Sequence, residues 1–154
     1  MVTNTRNGSA KGRVRSERGT ALLETALTLP LLLLVSISIF EFGRAYQTWQ
    51  VLTNAAREGA RLAILPNPAA GSLAESRVRE YMASGQLPNA ATADVSVNLT
   101  SISVGTGTAT ASQVTVNYPF QFIVLQPVAR LLVANSALGT PLTMTASAVM
   151  RNEQ

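Results

Sequence analysis

From Thr25 to Phe40 the chain runs for 16 residues, TALTLPLLLLVSISIF, without a charged side chain, between Glu24 and Glu41. Counted with its flanks, Ala21 to Phe42, the apolar segment approaches the ~20 residues a helix needs to cross bilayer hydrocarbon. A buried core helix or the apolar region of a secretory signal also tolerates such a run, and charge separates the three. Of the 12 basic and 8 acidic residues, five basic ones (Arg6, Lys11, Arg13, Arg15, Arg18) and one acid (Glu17) lie in residues 1–18, so the remaining seven and seven cancel. A basic flank on one side only holds that end in the cytoplasm and sends the other outward. After Phe40 comes EFGRAYQTW, with charge and bulk where a signal-peptide cut needs small residues, and the absence of cysteine excludes a lipoprotein cut. A retained single-pass anchor is expected.

The same counts narrow the function. With no histidine or cysteine and Lys11 the single lysine, a metal centre or nucleophile–base pair would have to come from scattered carboxylates and arginines, which points away from an enzyme and from bound cofactors or metals. The part beyond the leader is formally neutral and has no basic face with which to neutralise phosphates, so nucleic acid is not an expected partner.

Residues 1–19 read as a polar, basic leader. Glu24 is then informative, because an acidic group within an apolar helix costs about 3 kcal/mol and is usually found facing a partner or an interface. The bland reading places it at the cytoplasmic boundary, reaching for water. Its spacing adds a second reading: a cut between Gly19 and Thr20 would put the new α-amine one helical turn from the Glu24 carboxylate, close enough to pair.

This arrangement resembles type IV pilin-like proteins, in which a basic leader ending in Gly precedes an apolar helix with Glu at the fifth mature position. The longer pattern, GTALLETALTLPLLLLVSISIFEFGR continuing to LTNAAREGARLA, resembles TadE-like minor pilins of the tight-adherence apparatus, with Glu24, Pro30, the Glu41-Phe42-Gly43-Arg44 exit and Asn54 to Arg61 carrying the likeness. The VTVNYPF and TASAVMRNE segments are similar to the family's terminal strands. Glu17, two residues before the junction, departs from an all-basic leader. The resemblance implies cleavage by a prepilin peptidase, residence in the bacterial inner membrane with the C-terminal domain outside, and partners among pilin-like subunits and pilus assembly components.

Beyond the span the apolar pattern keeps a helical period through Tyr46, Trp49, Leu52, Ala55, Ala56, Gly59, Ala60 and Ala63, and Pro66-Asn67-Pro68 cannot continue it. A helix over 20–65, with residues 21–42 in the membrane, is about 69 Å long and must stand well outside it. Tyr46 and Trp49 fall where interfacial aromatics anchor, or are ordinary packing. Ala55, Gly59 and Ala63 form a small-residue face for close approach, either by the chain's own sheet or by another subunit. Arg57, Glu58 and Arg61 read alone as a solvated face; the resemblance raises them to interaction candidates.

Residues 66–154 are expected to form an extracytoplasmic α+β domain. Ser72 and Glu75 have capping-box spacing, with Ala74, Val78, Tyr81 and Met82 as the apolar side and Gly85 as the stop. Period-two alternation marks strands at Val95–Leu99, Val114–Phe120 and Leu142–Met150, with a bulge or strand end at Ile102 and Val104 before Gly105-Thr106-Gly107. FIVLQPVARLLVAN reads as a short helix beginning near Pro127 or as an apolar loop facing the membrane or a partner, too short for a second span. The architecture expected is a long transmembrane helix extending outward and packing on a small antiparallel sheet. Three functions fit: a processed tight-adherence pilus subunit, a pseudopilin-like secretion component, or an uncleaved signal-anchored envelope binding protein.

Overall fold

The computed structural model describes residues 10–132, 137 and 139–152. The first nine residues of the expected leader and the end of the VARLLVAN stretch lie outside the described residues. A single helix, α1, covers Ala10–Ala63, and the chain divides into two compact units within it, at Ile39 and Phe40.

In the first unit the side chains of Leu22, Leu27, Leu32 and Ile39 are 72%, 70%, 65% and 69% exposed, and none of the most apolar window of α1 is buried. A helix segment this apolar and this exposed suits an apolar solvent and suggests a membrane anchor. Its hydroxyls are satisfied inside the helix: Thr25 donates to the Ala21 carbonyl at 2.9 Å, Thr28 to Glu24 at 2.8 Å, Ser36 to Leu32 at 2.9 Å and Ser38 to Leu34 at 2.8 Å. This is what a low-dielectric surrounding demands of them. Pro30 lies within the helix and deprives the Ala26 carbonyl of its usual donor without ending it.

The second unit is α+β. The last part of α1 is followed by α2 (Ala70–Ser84), a short 3-10 turn (Ala90–Thr92), β1 (Asp94–Val104), β2 (Gly107–Phe120), α3 (Leu125–Leu132) and β3 (Leu142–Arg151). The strands form an antiparallel sheet in the order β1-β2-β3. Its inner face is built by the alternation read from the sequence: Val95 pairs with Val116, Val97 with Val114, Val116 with Ala146 and Tyr118 with Met144. Against it pack Leu52, Ala55, Ala56 and Ala60 of α1 and Val78 and Met82 of α2. The outer face is polar, and Asn117 bridges the three strands by donating to Asp94 at 3.2 Å and accepting from Thr145 at 2.8 Å.

The structure refines several local expectations. The capping box does not form: α2 starts two residues before Ser72, and Ser72 instead donates to the Ala69 carbonyl at 2.9 Å while Glu75 pairs with Arg79 at 3.4 Å. Asn67 displaces it, since its side chain accepts the Ala69 amide at 2.9 Å and its carbonyl the Ala70 amide at 2.9 Å, a turn that launches the helix early. At Ile102 and Val104 the strand end expected before the turn is what occurs, β1 ending at Val104, and there is no bulge. Both pair in unbroken register, with Ala109 and Gly107, because Gly105 at φ +62° closes a two-residue turn. Leu99, on the inner face, is 74% exposed, so the helical cover ends before it. The short helix of the FIVLQPVARLLVAN stretch begins at Leu125, which leaves Pro127 in the first turn where no amide is needed.

The stop of α2 divides two tasks between neighbours. Gln86 takes the left-handed conformation (φ 59°), with its amide on Ala83 and the Leu87 amide on Met82. Gly85 stands one position earlier because a Cβ there would lie 2.6 Å from Val51 of α1. Gly59 lets α1 and α2 approach closely, since a Cβ there would lie 2.4 Å from Val78. Gly59→Ala is therefore expected to destabilise the second unit by about 1–3 kcal/mol. Gly43→Ala, whose Cβ meets nothing within 4 Å, is expected to stabilise it by about 0.5–1 kcal/mol. Thermal unfolding of the two variants in detergent checks the opposite signs.

Candidate functional site

In the first unit, Gly19, Thr20 and Glu24 lie on one continuous helix, with Thr20 and Glu24 one turn apart and all three exposed. A Cβ at Gly19 would meet nothing within 4 Å. The chain's own packing therefore does not require glycine there.

Where α1 enters the second unit, the Glu41-Phe42-Gly43-Arg44 segment holds the strip that joins β2 to α3. Glu41 has no exposed surface, and its Oε1 accepts the backbone amides of Ile123 at 2.9 Å and Val124 at 2.7 Å. Val124 is the residue from which α3 starts, its carbonyl accepting the Val128 amide at 3.1 Å, so the carboxylate sits at the positive end of that helix. Its Oε2 has no hydrogen bond and is compensated by the Arg44 guanidinium 3.5 Å away. Arg44 Nη2 also donates to the Gln121 carbonyl at 2.6 Å, and the guanidinium lies 5.1 Å from the centre of the Phe120 ring. Phe122 makes edge-on contacts with Phe120 at 5.1 Å and Phe42 at 6.5 Å. Beside this clamp opens a cleft of about 430 Å³, lined by Arg44, Gln47, Gln86, Asn89 and Tyr118 among others.

The helix-face candidates divide by environment. Ala55 and Gly59 are buried by the chain's own α2 and sheet and Ala63 is partly buried, so this face is occupied within the protein. The Ala63 carbonyl is held by β2, where the Ser112 hydroxyl lies 3.2 Å from it and 2.8 Å from Asn152 Oδ1. Glu58 is half-buried between two arginines, with Arg61 at 3.5 Å on one oxygen and Arg77 of α2 at 3.5 Å on the other. Arg77 also reaches Glu80 at 3.0 Å, and the hydrogen bond and charge of Glu80, then the Glu58 charge, raise its pKa above the ordinary guanidinium value. Arg57 is exposed, and Arg61 is exposed over 70% of its side chain.

The contact made by Glu41 and Arg44 is one that residue-by-residue reading did not single out; the available signal was a charge placed directly against the end of the apolar run. Among the described residues there is no cluster of three or more His, Cys, Asp or Glu side chains that could hold a metal.

Residues 19–61 match the model of a protein family described as TadE-like protein. The match takes in the Gly19 junction, the apolar segment, the Glu41–Arg44 clamp and α1 as far as Arg61, and so bears out over that stretch the resemblance read from the sequence. No curated protein and no solved structure matches.

Removing the Glu41 acceptor tests the clamp. Glu41→Ala leaves two buried amides and the Arg44 charge without their partner and is expected to cost about 3 kcal/mol. Glu41→Gln keeps a carbonyl oxygen for the amides and is expected to cost less. Limited proteolysis between residues 120 and 140, alongside thermal unfolding, reads both variants.

Proposed function

We propose that this TadE-like chain is a non-enzymatic, membrane-anchored pilin-like subunit that a prepilin peptidase cuts between Gly19 and Thr20 and that takes part in assembling tight-adherence pili. The observation that carries the reading is the coincidence of the family match, beginning at Gly19, with a helix that puts Glu24 one turn after Thr20. An unconstrained Gly19 on an exposed helix supports recognition from outside: the small residue is needed by an enzyme that must reach the backbone, not by the fold. The cut leaves an α-amine at Thr20 beside the membrane, where an unpaired charge is costly.

Glu24 pairs with that amine, within one helix or across to a neighbouring subunit. Across subunits the pairing sets axial register, since a slip of one turn moves the charges about 5 Å apart. The basic flank places the N-terminus in the cytoplasm and residues 66–154 outside the inner membrane. In that position Arg57, Glu58 and Arg61 are available to other pilin-like subunits.

Mass spectrometry of protein from a peptidase-positive host is expected to find Thr20 at the N-terminus, and Gly19→Leu to abolish the cut; recovery of Met1 or Val2 from that host rejects processing. Glu24→Gln, which keeps the size and removes the charge, is expected to insert normally while lowering piliation and co-purification with other pilin-like subunits. Unchanged piliation at matched protein levels rejects the assembly role of Glu24.

A further inference from the structure

The clamp decides what lies beside the end of the apolar segment. Glu41 is the first charged side chain after the 16-residue run and would ordinarily mark where the apolar surface stops. Its carboxylate is instead wholly buried on the amides of Ile123 and Val124. The apolar surface therefore continues past it. Phe42 is 62% exposed, and Ile123, which follows its ring partner Phe122 in the strip after β2, is also 62% exposed; the Phe42–Phe122 edge contact holds the two segments side by side. Phe40 and Tyr46 add exposed aromatic rings before and after.

We infer that Phe42 and Ile123 form a lipid-contacting foot, by which the strip between β2 and α3 rests on the outer surface of the bilayer that α1 enters. The inference rests on the membrane-anchored reading above and adds a second, non-helical point of contact. Lipid is favoured as the occupant because the patch is continuous in the chain with the apolar segment, beginning one residue after Ile39, where the first unit ends. Large apolar and aromatic side chains are the types that settle at the headgroup boundary. Two amides on that strip would lose their hydrogen bonds to water on approaching the acyl chains, and Glu41 supplies the acceptor in advance.

The chain has no native cysteine, so single sites can be spin-labelled in the full-length protein. Leu33→Cys, Ile123→Cys and, on the outer face of the sheet, Ser147→Cys would be labelled and reconstituted in phosphatidylethanolamine–phosphatidylglycerol vesicles. Accessibility to oxygen relative to a water-soluble nickel chelate gives depth. The expected result is a ratio at position 123 several-fold above that at 147 and approaching that at 33. Equal ratios at 123 and 147, with 33 deep in the bilayer, overturn the foot while leaving the anchor. Dipolar broadening at 123 that grows with protein density identifies a second copy as the occupant and equally overturns it. A water-accessible label at 33 removes the anchor itself, and the foot with it.

Discussion

A carboxylate with no exposed surface is held at Glu41 by two backbone amides and one guanidinium, and that contact ties the later part of α1 to the strip that leaves the sheet after β2. Two electropositive neighbours offset the burial of the charge: the start of α3 on one side and Arg44 on the other. Arg44 is itself committed, to the Gln121 carbonyl and the Phe120 ring, so the end of β2 is drawn against α1 by the residues that neutralise one another. At the far end of the same helix segment, Ser112 of β2 holds the Ala63 carbonyl. Between these points Gly59 lets α1 meet Val78 and Val114 without a side chain intervening. Position is set at both ends, and closeness in the middle.

The one helix is apolar in two different ways. Up to Ile39 its leucines and isoleucines are large, and most of them are exposed. From Leu52 to Ala60 the apolar residues are mostly alanine, on one face, and fully buried. Large side chains suit a partner that is fluid and fills any shape; small ones suit a partner that is solid and must come close. The change in side-chain size along α1 thus records a change of surroundings, and Glu41 stands at the change.

Periodicity exposed the apolar segment, the end of α1 near Pro66 and the inward residues of all three strands, because each is set by spacing along a few consecutive residues. What it missed depends on choices between near neighbours or on distant ones. Ser72 and Glu75 have the right spacing for a cap, yet Asn67 competes for the same helix start and wins by making a tight turn first. Leu99 obeys the strand alternation but lies where the helices no longer reach, and helix reach is not written in a strand. The partners of Glu41 are 82 and 83 residues away, beyond any local pattern. For the candidate site, the Gly19, Thr20 and Glu24 spacing was legible directly, whereas Ala55 and Gly59 were open to two readings until the sheet was seen to occupy them.

The strand order β1-β2-β3 follows the chain, so each pairing of the sheet closes between consecutive strands. The β1–β2 hairpin turns in two residues and costs little chain entropy to form. The Glu41 contact closes a loop of 82 residues. In time, then, the hairpin comes early and the clamp later: until Ile123 and Val124 arrive, Glu41 is a solvated carboxylate at the end of an apolar helix, and its burial reports that the chain has been made as far as the start of α3. A chain interrupted anywhere before α3 keeps that charge in water, so the arrival of the strip after β2 is registered at the residue that ends the apolar segment.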